Sequence, residues 1–123
     1  MAKTILIVED ELSMQRALKN RLEQAGYSVS AANDGQQALD AIRASKPDLV
    51  LLDLIMPKLD GISVLREIKK DETLTGVPVI ILTNLSTGDK VAEAMQLGTF
   101  DFLVKANYSL DDVLKKVRER LDA

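Results

Sequence analysis

A chain of 123 residues, 46% hydrophobic and 28% charged, has the size and balance of one soluble domain, 1–123, built around one core; it is not the composition of a disordered or collagen-like segment. The formal charge of -3 excludes the basic face that sequence-independent nucleic-acid binding needs, and with neither cysteine nor histidine the chain has no disulfide, thiolate or imidazole chemistry. Aromatics at 3% leave an aliphatic core, which suits helices on a sheet better than a β-sandwich.

The first apolar run, Ile5-Leu6-Ile7-Val8, is continuous and rich in β-branched residues, the pattern of a strand covered on both faces. It is too short for a signal-peptide core, and no apolar stretch approaches a membrane span, so a cytoplasmic location is expected. From Ser13 the spacing of Met14, Ala17, Leu18, Leu22 and Ala25 predicts a helix that stops at Gly26. Tyr27 to Ala32 reads as a second strand, and after Asn33-Asp34-Gly35 a helix carries Ala38, Leu39, Ala41 and Ile42. Past Pro47, Asp48-Leu49-Val50-Leu51-Leu52-Asp53 is a third strand. Pro57 with Asp60-Gly61 then turns into a helix bearing Val64, Leu65 and Ile68. A fourth strand is predicted at Val77 to Leu82 with Pro78 at its start, where a missing N–H is tolerated. A helix over Gly88 to Leu97, a strand over Phe100 to Val104 and a closing helix with Leu110, Val113, Leu114, Val117 and Leu121 complete the chain.

Strict strand–helix alternation predicts an α/β domain: a doubly wound five-stranded parallel sheet, order 2-1-3-4-5, with five helices, flavodoxin-like. In such sheets reactive groups gather at the carboxyl ends of the strands. Those ends carry Glu9-Asp10-Glu11, Asp53, Thr83-Asn84 and Lys105. Clustered carboxylates repel one another unless a hard divalent cation takes their oxygens, and Mg²⁺ suits few carboxylates plus a phosphoryl group. A carboxylate attacks a phosphoryl group only when charge is neutralised, by metal and lysine, while a hydroxyl such as that of Thr83 donates to the transferred group.

The acid pair Glu9-Asp10, the run Leu51-Leu52-Asp53-Leu54-Ile55-Met56-Pro57 followed by Asp60-Gly61, Val77-Pro78-Val79-Ile80 leading to Thr83, and Gly98 leading to Phe102 and Lys105 resemble the receiver domains of bacterial two-component systems, single-domain chemotaxis-type regulators included. The resemblance spans the chain in order. It implies that Asp53 accepts a phosphoryl group from a sensor histidine kinase or phosphotransfer protein. It further implies that Asp10 ligates Mg²⁺ directly, Glu9 does so through water, and the Ile55 backbone carbonyl completes the protein's share. Thr83 and Phe102 would be the switch pair and Lys105 the ion-pairing lysine. The face of the fourth helix, fifth strand and fifth helix, with Lys90, Glu93, Asp101 and Arg118, would meet a protein target or a second copy. Such a domain catalyses only its own phosphorylation and dephosphorylation and is not an enzyme turning over a free substrate. With no effector segment after the last helix, a stand-alone regulator is the simpler expectation.

The sequence departs from the family at three places. Ala106 follows Lys105 where the family has proline in a cis bond, and a trans bond is expected because a cis non-proline bond costs about 3 to 4 kcal/mol. Asn84 stands where a small residue is usual. Ile55 and Leu85 are apolar where many relatives are polar, which is expected to lengthen the life of the phosphoryl-aspartate by failing to orient water.

Taken singly, these residues have ordinary roles: the acidic triplet favours a helix N-terminus, Asp53 caps a turn, Phe102 is core and Lys105 is solvated. Their shared position at converging strand ends is what favours the functional reading. The alternative is a degenerate receiver acting as a phosphorylation-independent binding scaffold, for which the Lys105-Ala106 step is the support. A haloacid-dehalogenase-type phosphatase needs a second acid two residues past its nucleophile, where this chain has Ile55. A flavodoxin-type cofactor binder needs a Gly/Ser/Thr-rich phosphate loop that is missing.

Overall fold

A computed structural model describes residues 2–54, 60–74, 76–83, 88–97, 101–104 and 109–122, with the backbone alone at 83, 88–91 and 101–104. The order is β1 (Thr4–Val8), α1 (Leu12–Gln24), β2 (Ser28–Ala32), α2 (Gly35–Ala44), β3 (Leu49–Asp53), α3 (Gly61–Lys70), β4 (Val79–Thr83), α4 (Gly88–Gln96), β5 (Asp101–Val104) and α5 (Leu110–Leu121). Elements fall within a few residues of their predicted spans. The fourth strand begins after Pro78, whose carbonyl still accepts from Val50 N–H at 3.0 Å, and it extends through Thr83.

The fold is a parallel α/β sheet with five helices, flavodoxin-like in arrangement, with strand order β2-β1-β3-β4-β5. Register pairs Val8 with Leu52 and Asp53 with Leu82, so the acids that follow β1 and end β3 lie at the same edge.

The single core expected from chain length is divided by the sheet into two. Leu6, Val8, Val50, Leu52, Val79 and Ile81 face α2 and α3, meeting Leu39, Ile42, Leu65 and Ile68. The alternate residues Ile5, Ile7, Leu49, Leu51, Ile80 and Leu82 face α1 and α5, meeting Leu18, Leu22, Val113 and Val117. This is why β1, β3 and β4 read as apolar runs: their side chains alternate across a sheet covered on both faces. Each fully buried Leu, Ile or Val stabilises the fold by roughly 1.5–3 kcal/mol.

Local chemistry sets the helix ends. Gly26, at φ 101°, follows the α1 cap residue Ala25; its N–H donates to Glu23 O and that of Tyr27 to Leu22 O, so both orphan carbonyls are satisfied through a left-handed residue that glycine adopts without strain. Asp34 and Asp60 are not free turn residues; each caps the following helix, accepting from Gln37 N–H and Ser63 N–H respectively. Ser109 and Asp112 form a reciprocal capping box on α5.

Candidate functional site

The parallel topology brings the end of β1 beside the end of β3, and this juxtaposition makes the site. Carboxylate oxygens of Glu9, Asp10 and Asp53 all lie within 4.8 Å of one another. Glu9 is 0% exposed and Asp53 3%, whereas Asp10 faces solvent. By strand alternation Glu9 shares the side of Ile5 and Ile7, and Asp53 the side of Leu49 and Leu51, so both acids sit on the face covered by α1.

The loop carrying the acid pair is held by its backbone. Glu9 N–H donates to Ala32 O at 3.1 Å, while the Glu9 carbonyl accepts from Gln15 Nε2 at 2.9 Å. The Glu9 carboxylate accepts from Glu11 N–H at 3.3 Å through Oε2. Gln15 is 9% exposed and also donates to Asn33 Oδ1 at 2.7 Å, with Ala32 O at 3.4 Å, which links α1 to the segment entering α2. On the other flank Gly61 N–H donates to Leu54 O at 3.0 Å, docking the start of α3 against the residue after Asp53.

Of the predicted site residues, the structure thus gathers Glu9, Asp10 and Asp53. Thr83 ends β4, one residue past the Leu82 that pairs with Asp53, and it pairs with Val104 of β5. Phe102 lies on β5 opposite Ile81. Ile55, Asn84, Leu85, Lys105 and Ala106, with the expected trans bond, lie outside the described residues. On the predicted partner face, the Glu93 carboxylate is ion-paired with Arg66 of α3. Arg118 borders a groove between α1 and α5 with Arg21, Asp111 and Leu114.

Sequence reasoning missed Gln15 and the tight role of Gly61. Gln15 carried a signal: it falls in register with Leu18 and Leu22 on the buried stripe of α1, where an amide must find partners. Gly61 gave only the turn motif, because its close approach to the Asp53–Leu54 backbone depends on the path of the loop between them.

The donor set is oxygen only and anionic, two of its three members buried, which fits a hard divalent cation such as Mg²⁺ and is the wrong chemistry for a soft metal. Among the described residues, no helix is long and apolar enough to cross a membrane.

Comparison with known proteins is consistent with this geometry. Residues 5–118 match the profile of the "Response regulator receiver domain" family. The chain is 40% identical over 120 residues to a probable transcriptional regulator, ycf27, of Porphyridium aerugineum, covering 96% of this chain and 49% of that protein. It is 35% identical over 121 residues to the response regulator MprA of Mycolicibacterium vanbaalenii, covering 98% and 51%. The chain therefore spans about half the length of the curated relatives it matches. Among solved structures, the chemotaxis protein CheY4 of Vibrio cholerae superposes with a TM-score of 0.89 at 26% identity, covering 98% of this chain and 100% of that one. The receiver domain of the sensor histidine kinase PA1611 of Pseudomonas aeruginosa, solved with a magnesium ion coordinated in its active-site cleft, superposes with a TM-score of 0.88 at 29% identity over 100% of both chains.

Proposed function

This chain belongs to the response regulator receiver domain family, and from that premise we propose that it is a phosphoacceptor switch charged on Asp53. The observation that carries the reading is the placement of a nearly buried aspartate at the end of β3 with two further carboxylates within 4.8 Å. Asp10 and Asp53 would hold the cation directly and Glu9 from the buried side, with the Ile55 carbonyl as a further ligand. Bound Mg²⁺ would supply neutralisation of phosphoryl charge. An Asp53 carboxylate oxygen would form the new bond to phosphorus as the bond from phosphorus to the donor's histidine nitrogen breaks; that nitrogen takes the electron pair, and the ring, already protonated on its other nitrogen, leaves as a neutral imidazole. Thr83, whose backbone lies at the adjacent strand end, would donate its hydroxyl to the transferred group, and Lys105 would pair with it. Phe102 would follow Thr83 and carry the change to the surface of α4, β5 and α5.

Such a domain donates no product to solution other than phosphate from its own hydrolysis, so it acts as a signalling module rather than an enzyme. Its phosphoryl donor would be a histidine kinase or phosphotransfer protein, and its reader a protein or a second copy.

Incubation with acetyl phosphate and Mg²⁺, read by intact mass, tests the reading. One phosphoryl adduct, absent in Asp53→Ala and without Mg²⁺, is expected. An unmodified wild-type chain would instead favour the phosphorylation-independent scaffold.

A further inference from the structure

Gln15 grips the peptide from which the acid pair is launched. Its Nε2 lies 2.9 Å from the Glu9 carbonyl oxygen and 2.7 Å from Asn33 Oδ1, and the amide is nearly buried. The Glu9 carbonyl belongs to the same rigid plane as the Asp10 N–H, because a peptide unit is planar. Holding that oxygen therefore restrains the orientation of the plane, and with it the position of the Asp10 Cα from which the side chain leaves the backbone. The other side of Glu9 is tied by its own N–H to Ala32 O at 3.1 Å. Glu9 is enclosed and is confined by its surroundings; Asp10 is exposed and depends more heavily on its backbone for aim.

We propose that Gln15 is a positioning residue for the cation site, acting through the Glu9–Asp10 peptide to hold the Asp10 carboxylate toward Asp53. The proposal rests on the phosphoacceptor reading above and adds to it a group that touches neither cation nor phosphate. Groups that orient metal ligands without binding the metal commonly alter affinity by about 10–100-fold when removed. Asn33 shares the task from the exposed side, since its carbonyl anchors the second hydrogen of the Gln15 amide.

The test is Mg²⁺ affinity by calorimetry on four chains: wild type, Gln15→Met, Asn33→Ala and Gly26→Ala. Methionine matches glutamine in length and lacks both donors. The last variant strains the fold at the far end of the sheet, where the φ of 101° disfavours a side chain. Gln15→Met is expected to raise the Kd about tenfold, Asn33→Ala to raise it less, and Gly26→Ala to leave it unchanged. Exchange of the Asp10 amide hydrogen, followed by NMR without metal, is expected to quicken in Gln15→Met. A folded Gln15→Met chain with the wild-type Kd overturns the proposal, as does an equal loss in Gly26→Ala. If Gln15→Met does not fold, the surface variant Asn33→Ala decides: a raised Kd supports the proposal and a wild-type Kd overturns it. A wild-type chain that takes up no Mg²⁺ overturns the phosphoacceptor reading together with this one, whereas binding that is identical in all four chains overturns this one alone.

Discussion

Gly61 leaves its Cα bare against the main chain of Asp53: a Cβ at that position would stand 2.4 Å from the Asp53 carbonyl oxygen and 2.6 Å from the Leu54 Cα. Both obstacles are backbone atoms and neither can rotate away. Gly61→Ala gains helix propensity worth up to about 1 kcal/mol. The overlap outweighs this, and a net loss of about 1–3 kcal/mol is expected from overpacking. Urea denaturation checks the stability, and Mg²⁺ titration of the same variant should show weakened binding as Asp53 is pushed out of place.

Cation uptake should stabilise the fold. Mg²⁺ at a hundredfold its Kd is expected to add about 2.7 kcal/mol to the unfolding free energy, reversed by a chelator. Asp10→Asn should lose most of that gain. Without metal, this variant should be no less stable than wild type, because it removes one of three mutually repelling carboxylates and lies in solvent. Thermal melts with and without Mg²⁺ read both effects.

Gly26→Ala is expected to cost about 1–2 kcal/mol, the penalty for a side chain in left-handed backbone. Since α1 ends opposite the acid cluster, chemical denaturation should report the loss while acetyl phosphate still labels Asp53.

Alkaline pH should act through Tyr27. Burial, and after it the hydrogen bond to Asp122 at 3.0 Å, raise the phenol above its ordinary pKa of 10.0. The folded state therefore holds this proton more tightly than the unfolded chain does. The stability so gained is complete below pH 10 and is lost as pH rises through the higher folded value. Tyr27→Phe should lose about 1 kcal/mol at neutral pH and remove this part of the alkaline decline. Denaturation across pH 8 to about 12 checks it, a range spanning the tyrosine pKa.

The alternation of apolar runs and helical stripes made the α/β architecture legible, since β1, β3 and β4 put buried side chains on both faces of the sheet. The acid cluster was legible for a related reason: parallel pairing forces the ends of β1 and β3 to one edge whatever the loops do. What escaped notice depends on how atoms meet once the backbone has turned, even between near neighbours in sequence. Gln15 looks like any helical polar residue until the carbonyls of Glu9 and Ala32 are placed beside it. Asp34 and Asp60 look like turn residues until the N–H groups of Gln37 and Ser63 are seen to need acceptors. Gly61 looks like a flexible joint, when its need is the close approach of the backbone at the end of β3.

Glu9 and Asp10 follow β1, and Asp53 closes β3; the pairing of Val8 with Leu52 is what joins them. The three carboxylates are thus neighbours only in a copy whose central strands have zipped together. In a nascent or unravelled copy they are scattered along a coil, unable to gather a cation or to draw a phosphoryl group from its donor. On the phosphoacceptor reading, charging would thereby be conditional on correct assembly of the central strands.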